Sequence, residues 1–119
     1  ALEFYKVLLG EENNSIAALY DGIGKVLFEQ ERFDDALIGM GKALSIRLKL
    51  YGENHINTAS SYYNIGSIQV MKAQYEEAIK SFRKALSIRT RELGETHPAT
   101  GAARAQITGA SLLLQVLSG

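Results

Sequence analysis

One text runs through this chain at a spacing of 42 residues, and nothing else in it limits the fold as tightly. The string "KALSIRLKLYGENH" (42–55) returns as "KALSIRTRELGETH" (84–97). Gly10, Gly52 and Gly94 keep the same offset, as do Ala1, Ala43 and Ala85, and Leu2, Leu44 and Leu86. It also joins Phe4 to Ile46 and Ile88, Ile23 to Ile65 and Ile107, Tyr20 to Tyr62, Gly24 to Gly66, Phe33 to Tyr75 and Ala36 to Ala78. A register kept without a gap over the whole chain means one structural unit used repeatedly. A unit this short cannot bury its apolar face alone, so the copies must stack on one another.

The unit reads as two helices. In "NTASSYYNIGSIQVMKAQ" (57–74), Ala59, Tyr62, Ile65, Gly66 and Gln69 fall at helical spacing. In "YEEAIKSFRKALSIRTREL" (75–93), Ala78, Ile79, Phe82, Ala85, Leu86 and Arg89 do the same, with charge on the other side. Sustained β-branched alternation is absent, so the fold class is all-α. The pattern predicts about six helices, over 1–9, 15–30, 33–51, 56–72, 75–93 and 98–118. The units are then a second helix and join (1–14), two complete repeats (15–56 and 57–98), and the first helix of an unfinished repeat (99–119). Each glycine of the 10/52/94 set fits a left-handed cap after a helix, where a Cβ would clash. Pro98 fits the first turn of the last helix, where its missing N–H does no harm. The expected N-caps are Asn14 or Ser15, Asn54 or Asn57, and Thr96 or His97. The same capping accounts for the "N-N-S" sequon at Asn13.

Composition narrows the function. Apolar residues form 46% of the chain, enough for a core, and 13 basic residues offset 13 acidic ones. That balance argues against a nucleic-acid or anionic-membrane surface, which needs concentrated Lys and Arg. The longest apolar stretch, "ASLLLQVL", is too short to span a bilayer. Cysteine is absent, which removes disulfides, thiolate zinc sites and cysteine nucleophiles. No segment reads as a secretory signal, and a cytoplasmic location is expected. The chain opens on Ala1 rather than Met, so a fragment of a longer protein is expected.

The pattern resembles the tetratricopeptide repeat. Its marks are Tyr62, Ile65 and Gly66, then Ala78, Phe82 and Ala85, in the middle copy. In the copy before they are Tyr20, Ile23 and Gly24, then Ala36, Met40 and Ala43. The usual period is about 34 residues. The longer unit, with "LGETHPAT" at the join and "YYNIG" in the first helix, is similar to the kinesin light chain type. The resemblance implies a right-handed α-solenoid of antiparallel helix pairs. It also implies that Gly24 and Gly66 face Ala36 and Ala78 across each pair, allowing close helix approach. Several residues depart from the pattern. Gly39 and Gly41 lie inside a helix, each costing about 1 kcal/mol against Ala, so the first repeat is expected to be the softer. Arg104 and Thr108 stand where the earlier copies have Tyr and Gly.

Catalytic constellations are missing. His55 and His97 occupy equivalent joins in different units and read as capping or join packing. Asp34–Asp35, Glu76–Glu77 and Glu11–Glu12 start helices, where carboxylates favour the positive dipole end. "DGIGKVLFEQ" has neither the spacing nor the setting of a phosphate loop. No enzyme activity, catalytic residue, metal or cofactor is expected within these residues.

What remains is a surface. In tetratricopeptide arrays the first helices line a concave groove that takes peptides. By that resemblance the groove residues are Asp21, Lys25 and Phe28 in the first copy, Ser60, Tyr63, Asn64, Ser67 and Met71 in the middle copy, and Gln106 in the last. Asn64, just before Ile65–Gly66, matches the family's backbone-binding asparagine; an amide both donates and accepts. Lys25 can meet an acidic group or pair with Asp21 one turn away. The C-terminal "SLLLQVL" is apolar nearly all round, which a terminal solenoid helix should avoid. Either the array continues beyond it, or Leu112, Leu113 and Leu117 form an oligomer interface. The expected function is a protein–protein interaction module binding a peptide or partner segment, with no nucleic acid or membrane partner and a possible homo-oligomer. The alternatives are a purely structural segment of a longer array, and an accessory or sensor domain of a multidomain nucleotide-dependent protein.

Overall fold

The computed structural model describes residues 13–118. The helix expected over 1–9, its Gly10 cap and Glu11–Glu12 lie outside the described residues. Within them there are five helices: α1 (Asn14–Glu29), α2 (Phe33–Tyr51), α3 (Ile56–Met71), α4 (Tyr75–Leu93) and α5 (Pro98–Ser118). Each helix packs on the next in chain order, as a solenoid of helix pairs requires.

Both joins between repeats use the same capping chemistry. His55 is extended, and its Nδ1 accepts from Asn57 N at 3.0 Å; His97 Nδ1 accepts from Ala99 N at the same distance. The cap of α3 is therefore His55 rather than Asn54 or Asn57. Nδ1 is bonded to Cγ, so it reaches the same place as an Asn Oδ1. Asn13, not Asn14 or Ser15, caps α1 through a 2.7 Å bond from Ser15 N. Of the two caps expected before the last helix, Thr96 and His97, it is His97 that accepts, and Pro98 takes the first helical position as expected.

The glycines after α2 and α4 have positive φ, as expected, but not the left-handed helical conformation. Gly52 sits at φ 81°, ψ −176° and Gly94 at φ 92°, ψ 161°, a region essentially open only to glycine. Their carbonyls accept from the buried hydroxyls of Thr58 (2.9 Å) and Thr100 (2.8 Å). This bond ties each join to the first turn of the following helix.

Left-handed φ occurs instead inside the repeats, at Glu31 (61°) and Ala73 (60°). Glu31 N bonds Phe28 O and Arg32 N bonds Leu27 O; Ala73 N bonds Val70 O and Gln74 N bonds Gln69 O. These are Schellman closures of α1 and α3, built without glycine. The next helix begins two residues after each, so the turn between paired helices is tight. At the equivalent Gln115 the chain does not turn, and α5 stays helical to Ser118.

The helix pairs interlock through a glycine and a large side chain. A Cβ at Gly66 would stand 2.8 Å from the Phe82 ring, and one at Gly24 would stand 3.0 Å from Met40 Cε. The residues over these glycines are thus Phe82 and Met40, one turn beyond the expected Ala78 and Ala36. The alanines are fully buried beside them. Gly39 also serves the approach: a Cβ there would lie 3.3 Å from Tyr20 O. Gly41 meets nothing within 4 Å, so of the two glycines it alone is a cost without a contact.

Ala73→Gly is expected to raise the unfolding free energy by about 1 kcal/mol by relieving a left-handed Cβ. Gly94→Ala, with open space around it, is expected to lower it by at least about 1 kcal/mol. Chemical denaturation of the two variants beside the parent checks both signs.

Candidate peptide-binding groove

An arginine sits inside the first repeat. Arg47 on α2 is 6% exposed, and three side chains hold it: Asn14 accepts from Nε at 3.1 Å, Asp21 from Nη1 at 2.6 Å, and Ser61 from Nη1 at 2.9 Å. A buried cation needs this pairing, since desolvation otherwise outweighs what it gains. The network ties α1, α2 and α3 together across the repeat boundary. It also removes Asp21 from the groove. Asp21 pairs with Arg47 and not with Lys25, and its second oxygen, Oδ1, is buried without a hydrogen-bond partner.

The second repeat treats the equivalent Arg89 differently. Its guanidinium lies over the Tyr63 ring, 4.6 Å from the centroid, and Nη1 donates to Ala99 O at 3.1 Å. Tyr63 also meets Phe82 edge-on at 5.3 Å, and Gln106 Nε2 reaches its hydroxyl at 3.4 Å. Tyr63 and Gln106 are thus engaged with each other, and Tyr63 is half-buried.

Four of the remaining groove candidates converge. Lys25 and Phe28 from α1 and Asn64 and Ser67 from α3 line one cleft of about 160 Å3, floored by Met40 and Ile68. Lys25 is exposed, and Asn64 is half-buried. The Ser67 hydroxyl donates to Tyr63 O at 3.1 Å, so its lone pairs remain for a donor. Ser60 donates to Ile56 O at 3.4 Å and, like exposed Met71, does not line the cleft. Sequence reasoning missed the floor: Met40 and Ile68 are core residues, and apolar periodicity does not tell a core side chain from one that also faces a cleft.

Two apolar faces remain open. Leu19, Ile23 and Val26 on α1 are exposed and border a shallow depression of about 410 Å3. The equivalents of Ile23 and Val26 in the next copy, Ile65 and Ile68, are covered by α2. Leu112, Leu113, Val116 and Leu117 are exposed on α5. No helix among the described residues is long and apolar enough to cross a membrane.

Comparison with known proteins agrees with this architecture. A family model described as tetratricopeptide repeat matches residues 15–91. No curated protein matches the sequence. Among solved structures, the chain is similar to the crystal structure of BtubC (BKLC) from P. vanneervenii, at 22% identity and a TM-score of 0.69. The match covers 99% of this chain and 57% of that one, so the chain spans little more than half of that structure's length.

Asp21→Asn keeps the shape at the Arg47 network and removes its only carboxylate. It is expected to cost about 3 kcal/mol in urea unfolding, because a buried charge loses its partner. Lys25→Ala, on the exposed face of the same helix, is expected to stay within about 0.5 kcal/mol of the parent.

Proposed function

Because the chain belongs to the tetratricopeptide repeat family, we propose that it holds an extended segment of a partner protein in the cleft between Lys25 and Asn64. Tetratricopeptide repeats mediate protein–protein interaction, and the whole parent's partners are part of the proposal. The observation that carries it is the convergence of Lys25, Phe28, Asn64 and Ser67, from two successive first helices, on one cleft. Asn64 can donate to and accept from a partner's backbone, which reads an extended chain without demanding a side chain. Phe28 and the Met40–Ile68 floor suit one apolar side chain of the segment, and the Lys25 ammonium suits an acidic one beside it. Asp21 and Tyr63 act behind this cleft as supports and not as clamps.

Peptides selected from a random display library on the parent protein are expected to lose about tenfold in affinity to Asn64→Ala, the worth of one well-placed hydrogen bond. Circular dichroism of the variant should be unchanged. Selected peptides that bind Asn64→Ala as tightly as the parent would overturn the clamp.

The exposed leucines of α5 carry a second proposal, a homo-oligomer through Leu112, Leu113 and Leu117. Arg104 is the sole charged residue of that helix, so little opposes association along its C-terminal half. Leu113→Glu combined with Leu117→Glu is expected to shift light-scattering mass to that of the monomer. A parent protein that is already monomeric refutes the interface.

A further inference from the structure

The two repeats carry the same arginine 42 residues apart and satisfy it unequally. Arg47 has three side-chain acceptors, Asn14, Asp21 and Ser61. At the equivalent positions around Arg89 stand Ile56, Tyr63 and Ala103. All three acceptors of the first network are gone, the carboxylate among them. What replaces them is one backbone carbonyl, Ala99 O, and the face of the Tyr63 ring. A guanidinium presents five N–H donors, and here the Nε and Nη2 donors have no partner among the described residues. They are not sealed either: Asp21 Oδ1 is the one buried, unpaired side-chain polar atom among the described residues. The edge made by Nε and Nη2 therefore keeps contact with solvent on a half-buried residue, while the ring packs one face of the group. Burial holds the guanidinium below its ordinary pKa, with Tyr63 pulling the other way. The cation is thus partly desolvated and has no counter-ion among the described residues.

We propose that the Arg89–Tyr63 pair is a docking site for a carboxylate of a partner segment, received in a bidentate fork on the Nε–Nη2 edge. The first repeat holds the same chemistry internally, with Asp21 on Arg47 at 2.6 Å. The second repeat has exchanged that aspartate for a tyrosine, which orients the guanidinium by stacking but leaves its charge unmet. Paired N–H groups in a fixed plane match the two oxygens of a carboxylate, and the partial burial of the arginine strengthens the contact. The site stands on α3, α4 and the start of α5. It shares no residue with the Lys25–Asn64 cleft and does not depend on that cleft being occupied.

The test is a titration of the parent protein followed through its arginine Nε–Hε resonances by NMR. The probes are acetyl-aspartate amide, a side-chain carboxylate, and acetyl-glycine, a C-terminal one, with sodium chloride at matched ionic strength as control. The Arg89 resonance is expected to shift saturably, at concentrations at least tenfold lower than the exposed Arg83 and Arg91 on the same helix. The probe that acts at the lower concentration identifies the source of the carboxylate. Tyr63→Asp, which restores the internal partner, is expected to abolish the response, and Tyr63→Phe to preserve it. Asn64→Ala should leave it intact, which separates this site from the cleft. An Arg89 shift no tighter than those of Arg83 and Arg91 overturns the proposal without recourse to any variant. An undiminished response in a folded Tyr63→Asp protein overturns it as well.

Discussion

Phe82 rests on bare backbone. A single Cβ at Gly66 would come within 2.8 Å of its ring, so the α3–α4 pair can be this close only because that position lacks a side chain. Met40 repeats the arrangement over Gly24. Close approach lets a small number of large side chains fill the space between helices, where each fully buried Phe or Met contributes about 1.5–3 kcal/mol. The distance within each pair then determines where the next pair begins. In both copies the join restarts the chain with a positive-φ glycine, a threonine bond to its carbonyl and a histidine cap. Repeated join geometry allows residues from successive first helices to meet at a single cleft.

The two arginines show how one framework tolerates different contents. Buried Arg47 ties three helices together through three side-chain acceptors, and it draws Asp21 away from the groove. Arg89, in the same frame, is held by a ring and one carbonyl. The unit therefore keeps its shape across a change from aspartate to tyrosine, because packing at Gly24 and Gly66 and not the polar contact fixes the helix spacing. That separation leaves the polar positions of the first helices free to differ between copies.

Much of this was legible in the sequence. The period, all five described helix spans to within a residue at each end, the helical Pro98 and a cap at Thr96 or His97 follow from local chemistry that a short string carries with it. Histidine at position 55 was harder, because Asn54 and Asn57 flank it and are better-known caps. Glu31 and Ala73 were hidden for a related reason: neither residue type signals a left-handed turn, and the tight packing of paired helices imposes it. The groove was legible in part. Lys25, Phe28, Asn64 and Ser67 meet as first-helix residues should, whereas Ser60 and Met71 share the face in projection but lie outside the cleft.

By itself the sequence determined that this protein is a stack of helix pairs repeating at 42 residues, since periodicity, caps and breakers act over a few residues. Only the tertiary structure decided which polar groups neutralise one another. Asp21 had a lysine one turn away and an arginine 26 residues away, and it took the arginine. The physical reason is burial: a cation enclosed between helices gains far more from a carboxylate than an ammonium in water does. Enclosure exists only once α1, α2 and α3 have packed.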